Sequence, residues 1–322
     1  MKKEDLRIVF MGTPEFAVTT LAALVENGYQ VVAVVTQPDR PVGRHGSVLQ
    51  PPAVKVYAQE HCLPVLQPEK MKDTAFVEQL RAYEANLQVV VAFRMLPEVV
   101  WSMPAYGTFN VHAALLPDYR GAAPINWAVI NGEEQTGVTT FFLDHQIDTG
   151  RIIRQKPFLI PDDADVAFVY EGLMNLGAEI CLETLQDIID SDGHVSALPQ
   201  DESKALHSAP KLFKENCRIG WGTATAKQVY DMVRGLSPIP GAWTILKAPN
   251  GSETVLKIYH TTKVGTPHKL SSGSLVRDKK HLFVACTDAL LQIDSLQLAG
   301  KKRIEATAFI NGIADIENYS LF

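Results

Sequence analysis

Residues 6–28, LRIVFMGTPEFAVTTLAALVENG, decide the fold. Leu6 to Met11 is a short apolar run, and Gly12-Thr13-Pro14 carries turn chemistry. Glu15 to Glu26 then repeats apolar residues at helical spacing through Phe16, Leu21, Leu24 and Val25, until Asn27-Gly28 stops the helix. A strand, a turn and a helix follow one another within these residues. A second strand, Val31 to Thr36, comes next, and the alternation recurs through Leu87 to Phe93, Gly107 to His112, Pro124 to Ile130 and Val138 to Leu143.

Apolar strands that alternate with helices imply a sheet covered on both faces. The expectation is therefore a doubly wound, Rossmann-like α/β domain over residues 1–190, closed by a helix along the apolar pattern from Val166 to Ile189. After Asp190 the texture turns polar, with Ser191-Asp-Gly-His and Gln200-Asp-Glu-Ser, so residues 191–208 read as a surface linker. Beyond it, Thr225 to Leu236 is helical in pattern. Thr254 to Tyr259, His281 to Cys286 and Leu290 to Leu296 are short β-like runs separated by Gly or Pro. Residues 209–322 thus suggest a smaller β-barrel of the oligonucleotide-binding (OB-like) kind.

At 322 residues, 46% hydrophobic and 20% charged, the chain has ordinary globular composition and room for two packed domains. It has no signal-peptide h-region in MKKEDLRIVF and no stretch approaching about 18 apolar residues, so a cytoplasmic protein with no membrane partner is expected. Cys62, Cys181, Cys217 and Cys286 are far apart, with neither C-x-x-C spacing nor a neighbouring His pair. The net charge of −6 conceals a division: residues 1–206 hold 15 Lys+Arg against 27 Asp+Glu, and residues 207–322 hold 15 against 9. A basic tail on an acidic body points to a polyanionic partner for the C-terminal part.

The first turn has only Gly12 where a dinucleotide fold needs three glycines, so it cannot cradle a pyrophosphate. Richer chemistry lies in residues 107–124, GTFNVHAALLPDYRGAAP. Asn110 and His112, two apart on a strand, leave the same face, while Phe109 and Val111 pack on the other. An amide donor and a titratable ring at a strand's C-terminal end suit acyl transfer. Pro117, Gly121 and Pro124 break regular structure, so Leu115 to Ala123 is expected to be a ligand-lining loop with Tyr119 and Arg120 in it. Asp144-His-Gln-Ile-Asp-Thr-Gly150 brings carboxylates to a turn, where Asp148 could orient His112 or act as a base. With His145 these carboxylates could instead ligate a metal, but there is no i, i+4 His pair and no Cys, so no metal is expected.

Several stretches together resemble the folate-dependent formyltransferase family over nearly the whole chain. They are Phe10 to Ala17 (FMGTPEFA), Thr36 to Arg44 (TQPDRPVGR), Asn110 to Pro117 (NVHAALLP), Tyr119 to Trp127 (YRGAAPINW), Gly137 to Thr139, Ile147 to Gly150 and Ala209 to Leu212. The Asn-x-His and Asp-Thr-Gly elements resemble the whole family, whereas Gln-Pro-Asp-Arg-Pro and the basic C-terminal part resemble its tRNA-directed branch.

What the resemblance implies can be set on these positions. Asn110, His112 and Asp148 fall where the family keeps its catalytic trio, and Ala114, Leu115, Leu116 and Pro117 where it holds folate. The formyl donor is then 10-formyltetrahydrofolate, the acceptor the α-amine of initiator methionyl-tRNA, and the process translation initiation. The loop from Asp39 to Leu49, with Arg40 and Arg44, is implied to meet the acceptor stem. Neither a metal nor a second subunit is implied. Two departures stand out: His45-Gly46-Ser47 replaces the lysines of many relatives, and Phe93-Arg94 lies where many have Tyr-Gly. Two alternatives stay open. Formylation of a small amine predicts that activity survives a cut near Pro199, and an RNA-binding protein without catalysis predicts no effect of Asn110→Ala or His112→Ala.

Overall fold

The structure, a computed structural model, describes residues 1–42, 48–313 and 315–322. The chain divides into two compact units, one of Met1–Gly121, Thr136–Leu159 and Tyr170–Ser208, the other of Ala122–Gln135, Ile160–Val169 and Ala209–Phe322.

In the first unit the chain forms β1 (Arg7–Gly12), α1 (Glu15–Glu26) and β2 (Gln30–Val35), then the hairpin strands β3 (Arg40–Val42) and β4 (Val48–Gln50). Next come α2 (Ala53–Glu60), β5 (Val65–Leu66), α3 (Thr74–Arg81), β6 (Leu87–Val91), α4 (Glu98–Trp101), β7 (Thr108–His112) and β8 (Arg120–Gly121). After α5 (Pro124–Ile130) follow β9 (Gln135–Phe142), β10 (Ile152–Leu159) and α6 (Val166–Asp190). The sheet order is β10-β9-β7-β6-β1-β2-β5. From β5 to β7 the pairing is parallel, whereas β9 runs antiparallel to β7. An antiparallel edge on a parallel sheet needs no crossover helix between the pair.

Strand alternation explains how the sheet is covered. Val9 and Met11 join Ala33, Val35 and Val90 in one apolar cluster with Phe76, Val77 and Leu80 of α3 and Val100 of α4. Ile8 and Phe10, fully buried, point to the opposite face. Over that face lie α1 and α6: a Cβ placed on Gly177 of α6 would sit 3.4 Å from Val111 of β7 and 3.9 Å from Phe16 of α1. The chain builds outward from β1 through β2 and β5, then returns to β1's other edge with β6 and β7. That reversal opens a crevice at the strands' carboxyl ends, where open α/β sheets hold their ligands.

The second unit contains α5 and, after β11 (Ser208–Ala209), α7 (Ala226–Leu236), β12 (Ala242–Lys247), β13 (Glu253–Thr266), β14 (Leu275–Asp278), β15 (His281–Ala285) and β16 (Leu290–Leu298). β17 (Ile304–Glu305), α8 (Ala306–Asn311) and β18 (Ser320–Leu321) complete it. The antiparallel sheet β14-β15-β16-β13-β12-β18 curls until its edges meet: Ser274 bridges Ser320, and Leu321 N donates to Gly273 O at 2.8 Å. Gly273, at φ +85°, admits no side chain there, because a Cβ would lie 2.1 Å from the Leu321 carbonyl oxygen. Val229, Val233 and Leu236 of α7 share one core with Leu256, Ile258, Leu282, Val284, Leu291 and Ile293 of the strands. Thr225 and Gln228 form a reciprocal cap at the start of α7.

Neither compact unit is continuous in sequence. Residues 122–135 and 160–169 belong to the second unit. α5 lies so close to α7 that a Cβ on Gly235 would meet Ile130 at 2.7 Å, and Asn126 Nδ2 donates to Gly235 O at 2.9 Å. The other excursion is held by Tyr230, whose hydroxyl donates to Asp162 O at 2.9 Å, and by Arg234, which donates to Ala164 O at 3.0 Å. Among the described residues no helix is long and apolar enough to cross a membrane.

Candidate functional site

β7 ends at the crevice, and its alternation decides which side chains face it. Phe109 is fully buried and Val111 nearly so, which leaves Asn110 and His112 on the other face. Asn110 is half-buried, and its carboxamide bonds no other described residue. His112 is 6% exposed, with Nε2 3.0 Å from the Tyr119 carbonyl oxygen. A carbonyl only accepts, so Nε2 carries the proton of the neutral ring, and Nδ1 is the nitrogen left to take or give one. Nδ1 lies 3.8 Å from Asp148 Oδ2.

Asp148 arrives from the turn between β9 and β10. The turn is tied by Asp144, whose Oδ1 accepts from Gln146 N at 2.9 Å and from Thr149 Oγ1 at 2.8 Å. Asp148 itself sits in the left-handed region at φ +55°, a conformation that Asp tolerates better than most residues. Its Oδ2 also accepts from Gly121 N at 2.9 Å, which joins the turn to the loop after β7. Gly150 is obligatory for a different reason: a Cβ there would lie 1.6 Å from the Phe142 carbonyl oxygen. Backbone cannot yield as a side-chain tip does, so Gly150→Ala is expected to lower stability by about 3 kcal/mol. Urea unfolding followed by circular dichroism measures this.

The loop from Ala114 to Arg120 leans on two polar partners, the buried Thr139 and the exposed Gln155. Thr139 Oγ1 donates to Ala114 O at 2.6 Å and accepts from Leu116 N at 3.1 Å, while Gln155 Nε2 donates to Leu116 O at 2.8 Å. Leu116-Pro117 is a cis peptide. Ala114, Leu116 and Pro117 are buried, so Leu115 alone of these four is partly open to solvent. Tyr119 is buried at φ +58°, and its ring stacks on His207, whose Nδ1 lies 3.0 Å from Asp118 Oδ2. A cleft of about 350 Å³ beside the Asp148 turn is lined by Arg120, Asp144, His145, Gln146, Thr149 and Glu202. Glu202 accepts from the Arg120 guanidinium at 2.7 and 3.0 Å, and this bond holds its carboxyl below the usual range.

Arg40 is exposed on β3 and bonds Gln37 Oε1. Beneath it, Asp39 is gripped by Lys55 at 2.7 and 2.8 Å and by Gln67 at 2.7 Å, which lowers its carboxyl pKa. Arg44 and His45-Gly46-Ser47 lie outside the described residues. Arg94 turns its guanidinium to the carbonyls of Pro68 and Glu69 and lies 5.7 Å from the Phe93 ring centroid. Burial pushes the Cys181 thiol up, and that of Cys286 up to about 12, which leaves neither as a ready nucleophile.

The structure therefore brings His112 and Asp148 together from positions 36 apart, with Asn110 on the same strand face as His112. Sequence reasoning missed the backbone partners at Tyr119 and Gly121, and it missed Gln200, whose Nε2 donates to Asp148 O and Gly150 O at 2.8 Å each. Such partners carry no residue-type signal, because backbone groups are common to every residue and a glutamine among polar neighbours reads as linker.

Comparison with known proteins places these observations in a family. The Formyl transferase pattern matches residues 6–185, and the Formyl transferase, C-terminal domain pattern matches residues 211–314. A protein of Parabacteroides distasonis named methionyl-tRNA formyltransferase is 57% identical, covering 100% of both chains. Proteins of the same name from Bacteroides thetaiotaomicron and Porphyromonas gingivalis are 52% and 47% identical, covering 100% and 98% of both chains. Among solved structures, WlaRD, a sugar 3N-formyl transferase, shares the fold with a TM-score of 0.63 at 17% identity over 92% of this chain and 99% of its own. HypX from Aquifex aeolicus, solved with tetrahydrofolic acid, has a TM-score of 0.61 at 19% identity; the match covers 95% of this chain and 47% of HypX.

Proposed function

Because the chain belongs to the formyl transferase family, we propose that it transfers the formyl group of 10-formyltetrahydrofolate to the α-amino group of methionine on initiator methionyl-tRNA, in support of translation initiation. The observation that carries this reading is the approach of His112 Nδ1 to Asp148 Oδ2, 3.8 Å, at the carboxyl end of a parallel strand in a chain 57% identical throughout to a methionyl-tRNA formyltransferase.

The chemistry follows from the partners of each group. Attack of the amine lone pair on the formyl carbon sends the C=O π electrons to oxygen, which needs donors as charge develops. The Asn110 carboxamide is one, free to turn toward that oxygen. His112 is the other when protonated, through Nδ1, because Nε2 is held by Tyr119. Asp148 sustains the imidazolium and receives the amine proton, directly or through one water. Collapse returns the electrons to the carbonyl and breaks the bond to N10, which takes its proton from His112 Nδ1, and Asp148 then passes the proton it received from the amine back to that nitrogen. None of these steps calls on a metal.

Ala114, Leu115, Leu116 and Pro117 hold the folate, with the cleft beside Arg120 and Asp144 offering further room. The curled C-terminal sheet serves as an OB-like RNA-binding barrel, and Arg40 and Arg44 reach the acceptor stem. The protein works as a cytosolic monomer. Incubation with methionyl-tRNA and 10-formyltetrahydrofolate should yield N-formylmethionyl-tRNA, whereas a dTDP-linked amino sugar should not be formylated; absence of the first product refutes the assignment. Binding of the RNA should weaken steeply with salt, since about four phosphate contacts correspond to roughly a hundredfold loss between about 50 and 200 mM salt. Filter binding across that range measures the slope.

A further inference from the structure

Gln200 is a polar residue on a connecting segment, yet it makes four hydrogen bonds within the first unit. Its Nε2 donates to Asp148 O and to Gly150 O, 2.8 Å each, and its Oε1 accepts from Arg120 Nε at 3.1 Å and Nη2 at 2.6 Å. Only a carboxamide meets this demand: two carbonyls require a donor end, and a guanidinium requires an acceptor end. The carboxylate of Glu cannot donate, and the ammonium of Lys cannot accept.

The two segments so joined are the ones that set the geometry of the reacting pair. One is the turn carrying Asp148, exposed at His145, Gln146 and Ile147 and passing through φ +55° at Asp148. The other is the loop in which the Tyr119 carbonyl fixes His112 Nε2 and Gly121 N fixes Asp148 Oδ2. Asp148 is thus held twice, by its carboxylate from Gly121 and by its carbonyl from Gln200.

We propose that Gln200 is a positioning residue for formyl transfer, holding the backbone of Asp148 so that its carboxylate stays beside His112 Nδ1. The proposal rests on the reading that His112 and Asp148 carry the transfer. Outer partners of this kind typically change activity by about 10–100-fold when removed, because a displacement of about 1 Å degrades a reacting geometry.

The test uses the full-length chain with Gln200→Ala and Gln200→Glu, the latter retaining an acceptor for Arg120 while losing both donors. In each, kcat should fall about 10–100-fold, with KM for 10-formyltetrahydrofolate and for methionyl-tRNA within about threefold of the parent. In an Asp148→Asn background the same substitutions should remove little more, since Gln200 acts through Asp148. A readout independent of turnover is the long-range ¹⁵N spectrum of the His112 ring in protein without ligands, where the Nδ1 signal should move in both Gln200 variants. Unchanged kcat in a Gln200→Ala protein that melts like the parent overturns the proposal. So does an equal further loss in the Asp148→Asn background, or an unmoved Nδ1 signal. Asp148→Asn and His112→Ala measured alongside keep the two ideas apart. If those variants retain kcat, the reading of the site fails; if they lose it and Gln200→Ala does not, only the positioning role fails.

Discussion

His112→Ala is expected to lower kcat by about three to four orders of magnitude, with little change in KM for folate. A positioned proton-transfer group contributes about 10²–10⁴, and an oxyanion donor about 10²–10³. His112 is asked to act in both ways through a single nitrogen, Nδ1, since Nε2 is tied to Tyr119 O. The ring is buried, so stability must be followed in parallel; removing it leaves the Tyr119 carbonyl without that donor. Single-turnover rates with saturating substrates isolate the chemical step. A protein that remains folded and within tenfold of the parent rate refutes a chemical role for His112.

Asp148→Asn carries the second largest effect, a fall in kcat of about 10²–10³. Oδ2 both accepts from Gly121 N and faces His112 Nδ1, so the asparagine must place its carbonyl oxygen there to keep the Gly121 bond. The substitution therefore preserves shape and hydrogen bonding while deleting the charge opposite the imidazolium. Thermal melting should be nearly unchanged, and the loss should appear in kcat. A loss confined to KM would instead make Asp148 a substrate-binding group.

The part of the site that lies within one strand was legible from sequence, because the period of two places Asn110 and His112 on one face whatever the rest of the chain does. The approach of Asp148 was suggested by residue type and family resemblance, but its distance depends on a turn returning from β9, which no local pattern reports. Partners such as Gly121 N and Tyr119 O are backbone atoms, and Gln200 lies in a polar run with nothing to mark it. The α/β alternation was legible because apolar strands and helical spacing are local. The allegiance of α5 was not, because an apolar helix between two strands serves equally well against either unit, and its close approach to Gly235 becomes visible only when the fold is known.

These contacts change the meaning of a simple truncation. A cut near Pro199 would remove Gln200, Glu202 and His207, all of which bond residues of the loop or turn around His112 and Asp148. Lost activity would then be expected for any acceptor amine, large or small. Comparison of methionyl-tRNA with small amines on the intact chain separates those substrates where the deletion does not.

The pairing of α5 with α7 also has a consequence for biosynthesis. Roughly 100 residues separate the two helices, and at roughly 5–20 residues per second the ribosome needs about 5–20 s to cross that gap. Through that interval the face of α5 that will meet α7 emerges without its mate. Nascent chains halted between residues 140 and 220 should therefore be the ones that trigger factor or a similar holdase retains longest.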